Sequence, residues 1–420
     1  MGQVRNLWRP TVVEIDLSAV RHNVRSFVDL VRPSAVCAVV KADGYGHGAV
    51  KCAEAAVASG ASWLGVALVE EGVELRVAGI AAPILLLSEF PDGAETDVVS
   101  FDLTPTVYSI RKVRALAQIA NRSPISVHIK VDTGMHRVGA QPTDVLALAR
   151  EITGLTSLEL GGVFTHFAVA DDPNDPYTAG QLRDFCAVLD ELRANGIKPG
   201  IVHAANSAGT LAHPNARFDM VRVGVSLYGN DPDLSLVAST YGVSLRPVLR
   251  LVSQVSHVKV LAAGERVSYG LRYALQQESV VATVPIGYAD GLSRRYSSVG
   301  GEVLIGGNRY PIAGRVTMDQ IVVDCGPPDS SSPSTPSSPS SPSSPSSPSS
   351  PSSPSSPSSP SSPSRLVNIG DEVVLLGAQS DQRITPWDMA AKLDTIAYET
   401  TCALTKRVPR KFLNDTGDPQ

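Results

Sequence analysis

Ala38-Val-Val-Lys-Ala-Asp-Gly-Tyr-Gly-His-Gly48 is the stretch from which the architecture of this chain is read. The apolar run that leads into it, Ala35 to Val40, reads as a buried parallel strand, since a strand covered on both faces needs no polar alternation. The run ends on Lys41. Gly44, Gly46 and Gly48 then make a glycine-rich turn, and a helical segment starts soon after. A lysine at the end of a buried parallel strand stands where barrel enzymes place their chemistry. Taken alone it would carry little weight, because most lysines are solvated.

The same strand–helix rhythm extends outward on both sides. Residues 11–17 alternate toward a strand, and Ser18 reads as the N-cap of a helix running to about Leu30. Further strands are predicted at Val36–Val40, Trp63–Ala67, Ile84–Leu87, Phe101–Thr104, Ile125–Val131, Leu158–Thr165, Gly200–Ala204 and Phe218–Val223. Amphipathic helices separate them, for example Pro142–Ile152 and Thr178–Asn195. Eight such units predict an α/β fold with an N-terminal (β/α)8 TIM-type barrel over residues 12–245, with an open doubly wound sheet as the competitor. After Leu245 the pattern changes to short strands between glycine turns: Leu251–Val260, Val280–Pro285, Glu302–Ile305, Tyr310–Ile312, Gln320–Asp324 and Glu372–Leu376. A helix at Pro386–Leu404 follows. Residues 246–415 therefore read as a separate, mainly antiparallel β domain, which residues 1–11 are free to join. Within it, residues 327–364 repeat a Pro-Ser-Ser unit with no apolar side chain to enter a core. Proline denies helix and sheet hydrogen bonds, so this tract is expected to be a disordered, partly polyproline-II insertion between strands.

Composition narrows the function classes. In a chain of 420 residues, 43% are apolar and 18% charged, enough to bury two cores. A net charge of -5 argues against a nucleic-acid partner, whose footprint would be basic. Cys37, Cys52, Cys186, Cys325 and Cys402 form no Cys-x-x-Cys pair, so no metal site or disulfide framework is expected, and a reducing cytoplasm fits. Met1 to Pro10 lacks the apolar stretch of a secretory signal, and no run nears the roughly 20 apolar residues of a membrane helix.

Two strand ends suit a phosphate. The seventh closes on His203-Ala-Ala-Asn-Ser207-Ala-Gly and the eighth on Val221-Arg-Val-Gly224-Val225, where barrels often bind phosphate. A hydroxyl at a helix start and a glycine allowing close backbone approach fit that use. Ser207 fits an ordinary N-cap as well. Arg137, in Lys130-Val-Asp-Thr-Gly-Met-His-Arg-Val-Gly139, carries the planar fork that suits a carboxylate.

Lys41, Tyr45 and the three glycines together resemble the pyridoxal-phosphate lysine motif of the alanine racemase family. The likeness spans Val12 to Arg410 apart from the Ser/Pro tract. It implies interconversion of L- and D-alanine, with D-alanine feeding peptidoglycan, and pyridoxal phosphate as cofactor. Lys41 would hold the cofactor's aldehyde and act as one base, serving the D-isomer. Tyr269, in Arg266-Val-Ser-Tyr-Gly270-Leu, would be the opposite-face base for the L-isomer. A phenol is a poor base near neutrality and needs donors or cations around it. The resemblance assigns cofactor contacts to Tyr45, Asn206, Ser207, Gly224, Val225 and Tyr398. It sets Arg222 against the pyridine nitrogen, with His166, in Gly162-Val-Phe-Thr-His166-Phe-Ala, linking Arg222 to Tyr269. Arginine does not give up its proton, so it donates to a neutral ring nitrogen and leaves a weaker electron sink. Arg137 and the backbone of Met318, in Gly314-Arg-Val-Thr-Met-Asp-Gln320, would bind substrate. Tyr288, in Pro285-Ile-Gly-Tyr-Ala-Asp-Gly291, resembles a residue of the substrate's way in. Lys130 matches a lysine that relatives carry as a carbamate. Tyr269 and Met318 would reach a second subunit, implying a homodimer with shared sites. The alternatives are a broad-specificity, serine or lysine racemase of the same fold, a fold-related amino-acid decarboxylase, and a non-catalytic pyridoxal-phosphate carrier. A decarboxylase would want an acidic residue at Arg222's place, and a carrier would lack the β domain.

Overall fold

The computed structural model describes residues 8–119, 124–328 and 366–415. Two units are built from its strands. The first is parallel. Ile84–Leu86, Trp63–Val66, Ala35–Val39 and Met220–Val223 lie in that order in one sheet, and Thr106–Val107, Ile125–Lys130, Leu158–Phe164 and Ile201–His203 in another. Backbone hydrogen bonds run across both junctions between the sheets. Leu86 N donates to Thr104 O at 2.9 Å, and Asp219 N to Val202 O at 3.0 Å. Helices such as Leu17–Val31 and Tyr177–Ala194 cover these strands. Leu17–Val31 buries Val20, Val24, Phe27 and Val31, a stripe at helical spacing, and with them Asn23, whose amide nitrogen donates to Leu227 O and Arg246 O.

The second unit is a β domain. Its largest sheet runs Asn308–Pro311, Glu302–Ile305, Glu372–Gln379, Leu249–Gln254, Val12–Asp16, Arg410–Leu413, with Gln382–Ile384 paired to the side of Glu372–Gln379. A three-stranded sheet of His257–Leu261, Ser279–Val284 and Ile321–Asp324 and a short hairpin, Arg266–Val267 with Tyr273–Ala274, complete it. The one parallel pair among these ladders is Val12–Asp16 with Arg410–Leu413.

Several expectations change. Val12–Asp16 is expected to open the first domain at residue 12; the strand pairs with Leu249–Gln254 and Arg410–Leu413 of the β sheet. Alternating burial along this strand is satisfied by either sheet, and only the remote partners decide. The helix cap is Asp16, not Ser18: Asp16 Oδ1 accepts from Ser18 N at 2.8 Å, a contact worth about 1 kcal/mol. The strand expected at Phe101–Thr104 falls at Thr106–Val107, with Thr104 making only an isolated bridge. Leu251–Val260 divides into Leu249–Gln254 and His257–Leu261, which join different sheets because the chain turns at Val255 and Ser256 to bond Asp371 and Thr283 in succession. Pro386–Leu404 breaks at Asp394, whose φ of 61° is left-handed, leaving helices Pro386–Leu393 and Ala397–Cys402. Of the expected 327–364 insertion, residues 329–364 lie outside the described residues. No helix among the described residues is long and apolar enough to cross a membrane.

Candidate active site

The carboxyl ends of the parallel strands open on a cavity of about 530 Å³. Lys41 lies just beyond Ala35–Val39 and starts a tight left-handed turn: Ala42, Asp43 and Tyr45 have φ of 53°, 52° and 54°, and Gly44 and Gly46 continue it. Non-glycine residues in this region cost roughly 1–2 kcal/mol each, so a run of them persists only where the surroundings impose it. Here Glu71 Oε1 accepts from Ala42 N at 2.6 Å and Asp43 Oδ1 from Ala49 N at 3.0 Å. His47 Nδ1 lies 3.0 Å from the Gly44 carbonyl oxygen, and the Tyr228 hydroxyl donates to Val39 O at 3.1 Å. The turn sets the Lys41 amine into the cavity and Tyr45 at its floor.

The cavity is strongly cationic. Burial, then the Arg137 guanidinium, lowers the Lys41 pKa. Burial and the cations Arg222, Arg137 and Lys41 bring the Lys130 amine down to about 7. Lys130 Nζ donates to Leu87 O at 3.1 Å. Arg222 is buried, and desolvation draws its guanidinium down to about 10. It has no carboxylate partner among the described residues. Nη2 donates to Thr165 O and Ala204 O at 2.8 and 2.9 Å and to His166 Nδ1 at 3.2 Å; Nη1 donates to His203 Nδ1 at 2.9 Å. Burial and the same cations hold His166 well below the usual imidazole range, so it is neutral and its proton sits on Nε2. The Arg137 side chain lines the cavity with no hydrogen-bond partner among the described residues.

At the other end of the cavity, Ser207 begins the helix Ser207–Ala212, which Asn206 caps by accepting from Gly209 N at 2.8 Å. Ser207 is thus not the cap. Its Oγ accepts from Gly224 N at 2.9 Å, which leaves the hydroxyl hydrogen to be donated elsewhere. A Cβ on Gly224 would come within 2.6 Å of the Tyr45 hydroxyl, so only glycine keeps this corner open. Tyr398, on Ala397–Cys402, meets the Tyr45 ring edge-on at 6.3 Å between centroids.

Lys41, Tyr45, Lys130, Arg137, His166, Asn206, Ser207, Arg222, Gly224, Val225 and Tyr398 all line this one cavity. Tyr269, Tyr288 and Met318 do not: they are 71%, 40% and 51% exposed on the β domain. They share one surface. Ser268 Oγ donates to Arg315 O at 2.7 Å, Tyr288 N to Thr317 O at 3.0 Å and Ala289 N to Met318 O at 3.1 Å. Sequence reasoning gave no role to Phe164, His203 or His128, which surround Arg222; nothing in their spacing along the chain marks them.

The parallel α/β unit carries a cationic cavity at its strand ends, with an amine of lowered pKa and a glycine-and-hydroxyl corner, the placement that small-molecule enzymes of this class use. Comparison with known proteins makes this specific. Residues 15–232 match the alanine racemase N-terminal domain, and residues 248–336 and 361–412 the alanine racemase C-terminal domain. An alanine racemase of Symbiobacterium thermophilum is 42% identical over 97% of this chain and 98% of its own length; one of Desulfovibrio desulfuricans is 40% identical over 96% and 98%. The crystal structure of alanine racemase from E. faecalis matches with a TM-score of 0.83 and 36% identity, covering 97% of this chain and 99% of that one. The chain belongs to the alanine racemase family, whose members are isomerases.

Proposed function

We infer that the chain interconverts L- and D-alanine by two bases, Lys41 and Tyr269, with pyridoxal phosphate in the cationic cavity. The observation that carries this reading is the convergence of Lys41, Arg222 and the Tyr45–Ser207–Gly224 corner on one cavity. The residues fit the cofactor: Gly224 leaves room a Cβ would fill, Ser207 has a hydroxyl hydrogen to give, and Arg222 is a buried cation with no carboxylate partner among the described residues. Tyr45, Asn206, Ser207, Gly224, Val225 and Tyr398 would hold the phosphate end, Arg222 the ring-nitrogen edge and Lys41 the aldehyde carbon. When bound, the cofactor supplies the electron sink that makes an amino acid's Cα proton removable.

The chain's own residues do the rest. Lys41 Nζ, its pKa lowered by burial and the Arg137 charge, would take and return the proton on one face of the substrate. Arg222 donates and cannot accept, which disfavours fates that need a protonated ring nitrogen. Its contacts are carbonyls and imidazoles, and this argues against the decarboxylase alternative. Arg137 offers a free guanidinium fork to the substrate carboxylate. Lys130 is suited to carbamylation, since an amine with a pKa of about 7 is largely neutral under physiological conditions and a carbamate would offset the cations around it.

Tyr269, Tyr288 and Met318 form a surface that we assign to a second copy of the chain. There Tyr269 would enter the partner's cavity as the opposite-face base and receive the His166 Nε2 proton as a hydrogen bond, making the enzyme a homodimer with shared sites. We read the eight parallel strands as a closed (β/α)8 barrel, supported by the hydrogen bonds across both sheet junctions. A cytoplasmic supply of D-alanine for peptidoglycan accords with five free cysteines. The test is to incubate protein, pyridoxal phosphate and pure L-alanine in deuterated water. D-alanine carrying deuterium at Cα is expected; an enantiomer returned unchanged would rule the reading out.

A further inference from the structure

Behind Arg222, away from the cavity, two imidazoles extend its hydrogen bonding inward. Nη1 of Arg222 lies 2.9 Å from His203 Nδ1, and His203 Nε2 lies 2.9 Å from His128 Nδ1. Both rings are fully buried. Arginine has donors only, so His203 Nδ1 must accept. The His203 proton is then on Nε2 and must be donated to His128 Nδ1. That in turn puts the His128 proton on Nε2, a buried atom with no partner among the described residues. Every tautomer in the chain is dictated by the arginine at its head.

The fold makes specific provision for this chain. The register between Ile125–Lys130 and Leu158–Phe164 shifts between Val127 and His128, so that Val127 faces Leu160 but His128 faces Gly162. The extra residue is Gly161. A Cβ on Gly162 would lie 2.5 Å from His128 Cε1, so the glycine there is what admits the ring. Bulges next to sites commonly re-aim a side chain. The Phe164 ring stacks on His203 at 4.6 Å and 9°, and Arg222 lies 5.1 Å above the same Phe164. The plane, edge and tautomer of His203 are therefore all constrained. Burial and the Arg222 charge hold His128 down at about 3 and His203 well below the usual imidazole range, so both stay neutral and the order of donors persists.

We propose that His203 and His128 are positioning residues for Arg222, a one-way hydrogen-bond chain that orients its guanidinium toward the cavity and does so without a carboxylate to neutralise it. The assignment deepens the functional reading above and rests on it for its kinetic consequences, but the tautomers can be measured without cofactor or substrate. A nearby carboxylate would fix the arginine as well, but it would cancel the charge. Neutral imidazoles polarise along the chain and leave the cation intact.

The first test is a two-bond proton–nitrogen correlation spectrum of protein labelled with 15N-histidine. His203 and His128 are both expected as Nε2–H tautomers across neutral pH. The second test uses H128L and H128Q. In H128L the buried His203 Nε2–H loses its acceptor while Arg222 still requires Nδ1 to accept, so the ring tilts toward a new partner and no longer holds the guanidinium in place. A fall in kcat of up to about tenfold is expected, the size of one neutral hydrogen bond, with KM for alanine little changed because Arg137 is untouched. H128Q offers an acceptor again and should recover most of the loss, with His203 the Nε2–H tautomer in both variants. An Nδ1–H tautomer of His203 in the unsubstituted protein would overturn the proposal, as would equal kcat values for H128L and H128Q. Expected tautomers in a protein that leaves alanine unchanged would support the chain and refute the functional reading instead.

Discussion

The cavity and the exposed surface of the β domain differ in how complete they are. Around Lys41 the backbone and Arg222 are anchored inside the same chain: the left-handed turn is bonded on several sides, and Arg222 is held by carbonyls and imidazoles. Tyr288 and Met318 are held by their backbones, and Tyr269 follows Ser268, whose hydroxyl donates to Arg315 O, while all three side chains are exposed. Backbone precision spent on exposed side chains is unusual for a surface with no occupant. The contrast accords with the proposal made above, in which one chain supplies a binding site and one base and presents the other base to a second copy.

The largest expected effect comes from the complete side. Lys41→Ala should remove the visible absorption of the bound cofactor and lower kcat by at least about 10³-fold, within the range for loss of a positioned acid–base group. A spectrum and a chiral assay read both, and a Lys41→Ala enzyme with near-normal turnover would break the comparison at its firmer end. Tyr269→Phe should come next, costing about 10²–10³-fold in kcat while leaving the unfolding midpoint almost unmoved, because an exposed hydroxyl contributes within about 0.5 kcal/mol to stability. A Tyr269→Phe protein with a sharply lower Tm would mean that the residue is structural.

Lys130→Met should act more mildly, raising KM several-fold, about 1 kcal/mol of carboxylate binding, with kcat less affected. In protein equilibrated with 13C-bicarbonate, a carbamate carbon signal is expected that Lys130→Met lacks. Its sign with pH follows from the lowered amine pKa: below about 7 the amine is protonated and cannot add carbon dioxide, and above it the neutral form accumulates, so the signal should grow as pH rises. A high-resolution map with bare Lys130 beside a chloride would count against it. The smallest effect belongs to the Ser/Pro tract. Residues 337–360 fall between the two matched parts of the C-terminal family domain, and deleting them should change kcat/KM by less than about twofold. A large loss would give the tract a role that the comparison of cavity and surface does not contain.

Much of this was readable from the chain alone, for physical reasons. Continuous apolar runs report strands buried on both faces, so Ala35–Val39 and Ile84–Leu86 fell close to where they were expected. The residues after those runs necessarily point to one end of the sheets, and so Lys41, Lys130 and His166 meet. What was not readable depends on remote pairing. Val12–Asp16 alternates in the same way whichever sheet it joins, and Leu249–Gln254 and Arg410–Leu413 decide. His128 and His203 look like ordinary strand residues, and their meeting depends on a bulge at Gly161 that no local propensity announces. Asp394 in a left-handed conformation is likewise a tertiary outcome within an otherwise helical pattern.

The most direct measurement of the shared site mixes two inactive chains. Lys41→Ala and Tyr269→Ala proteins, each dead alone, are unfolded together, refolded with pyridoxal phosphate and assayed for alanine racemisation. Hybrid dimers in which one of the two sites regains both bases should recover up to about a quarter of wild-type activity, since half the dimers are hybrids and half their sites are whole. Hybrids that demonstrably form yet remain inactive would show that each chain completes its own site, and that Tyr269 lends no base to a second copy.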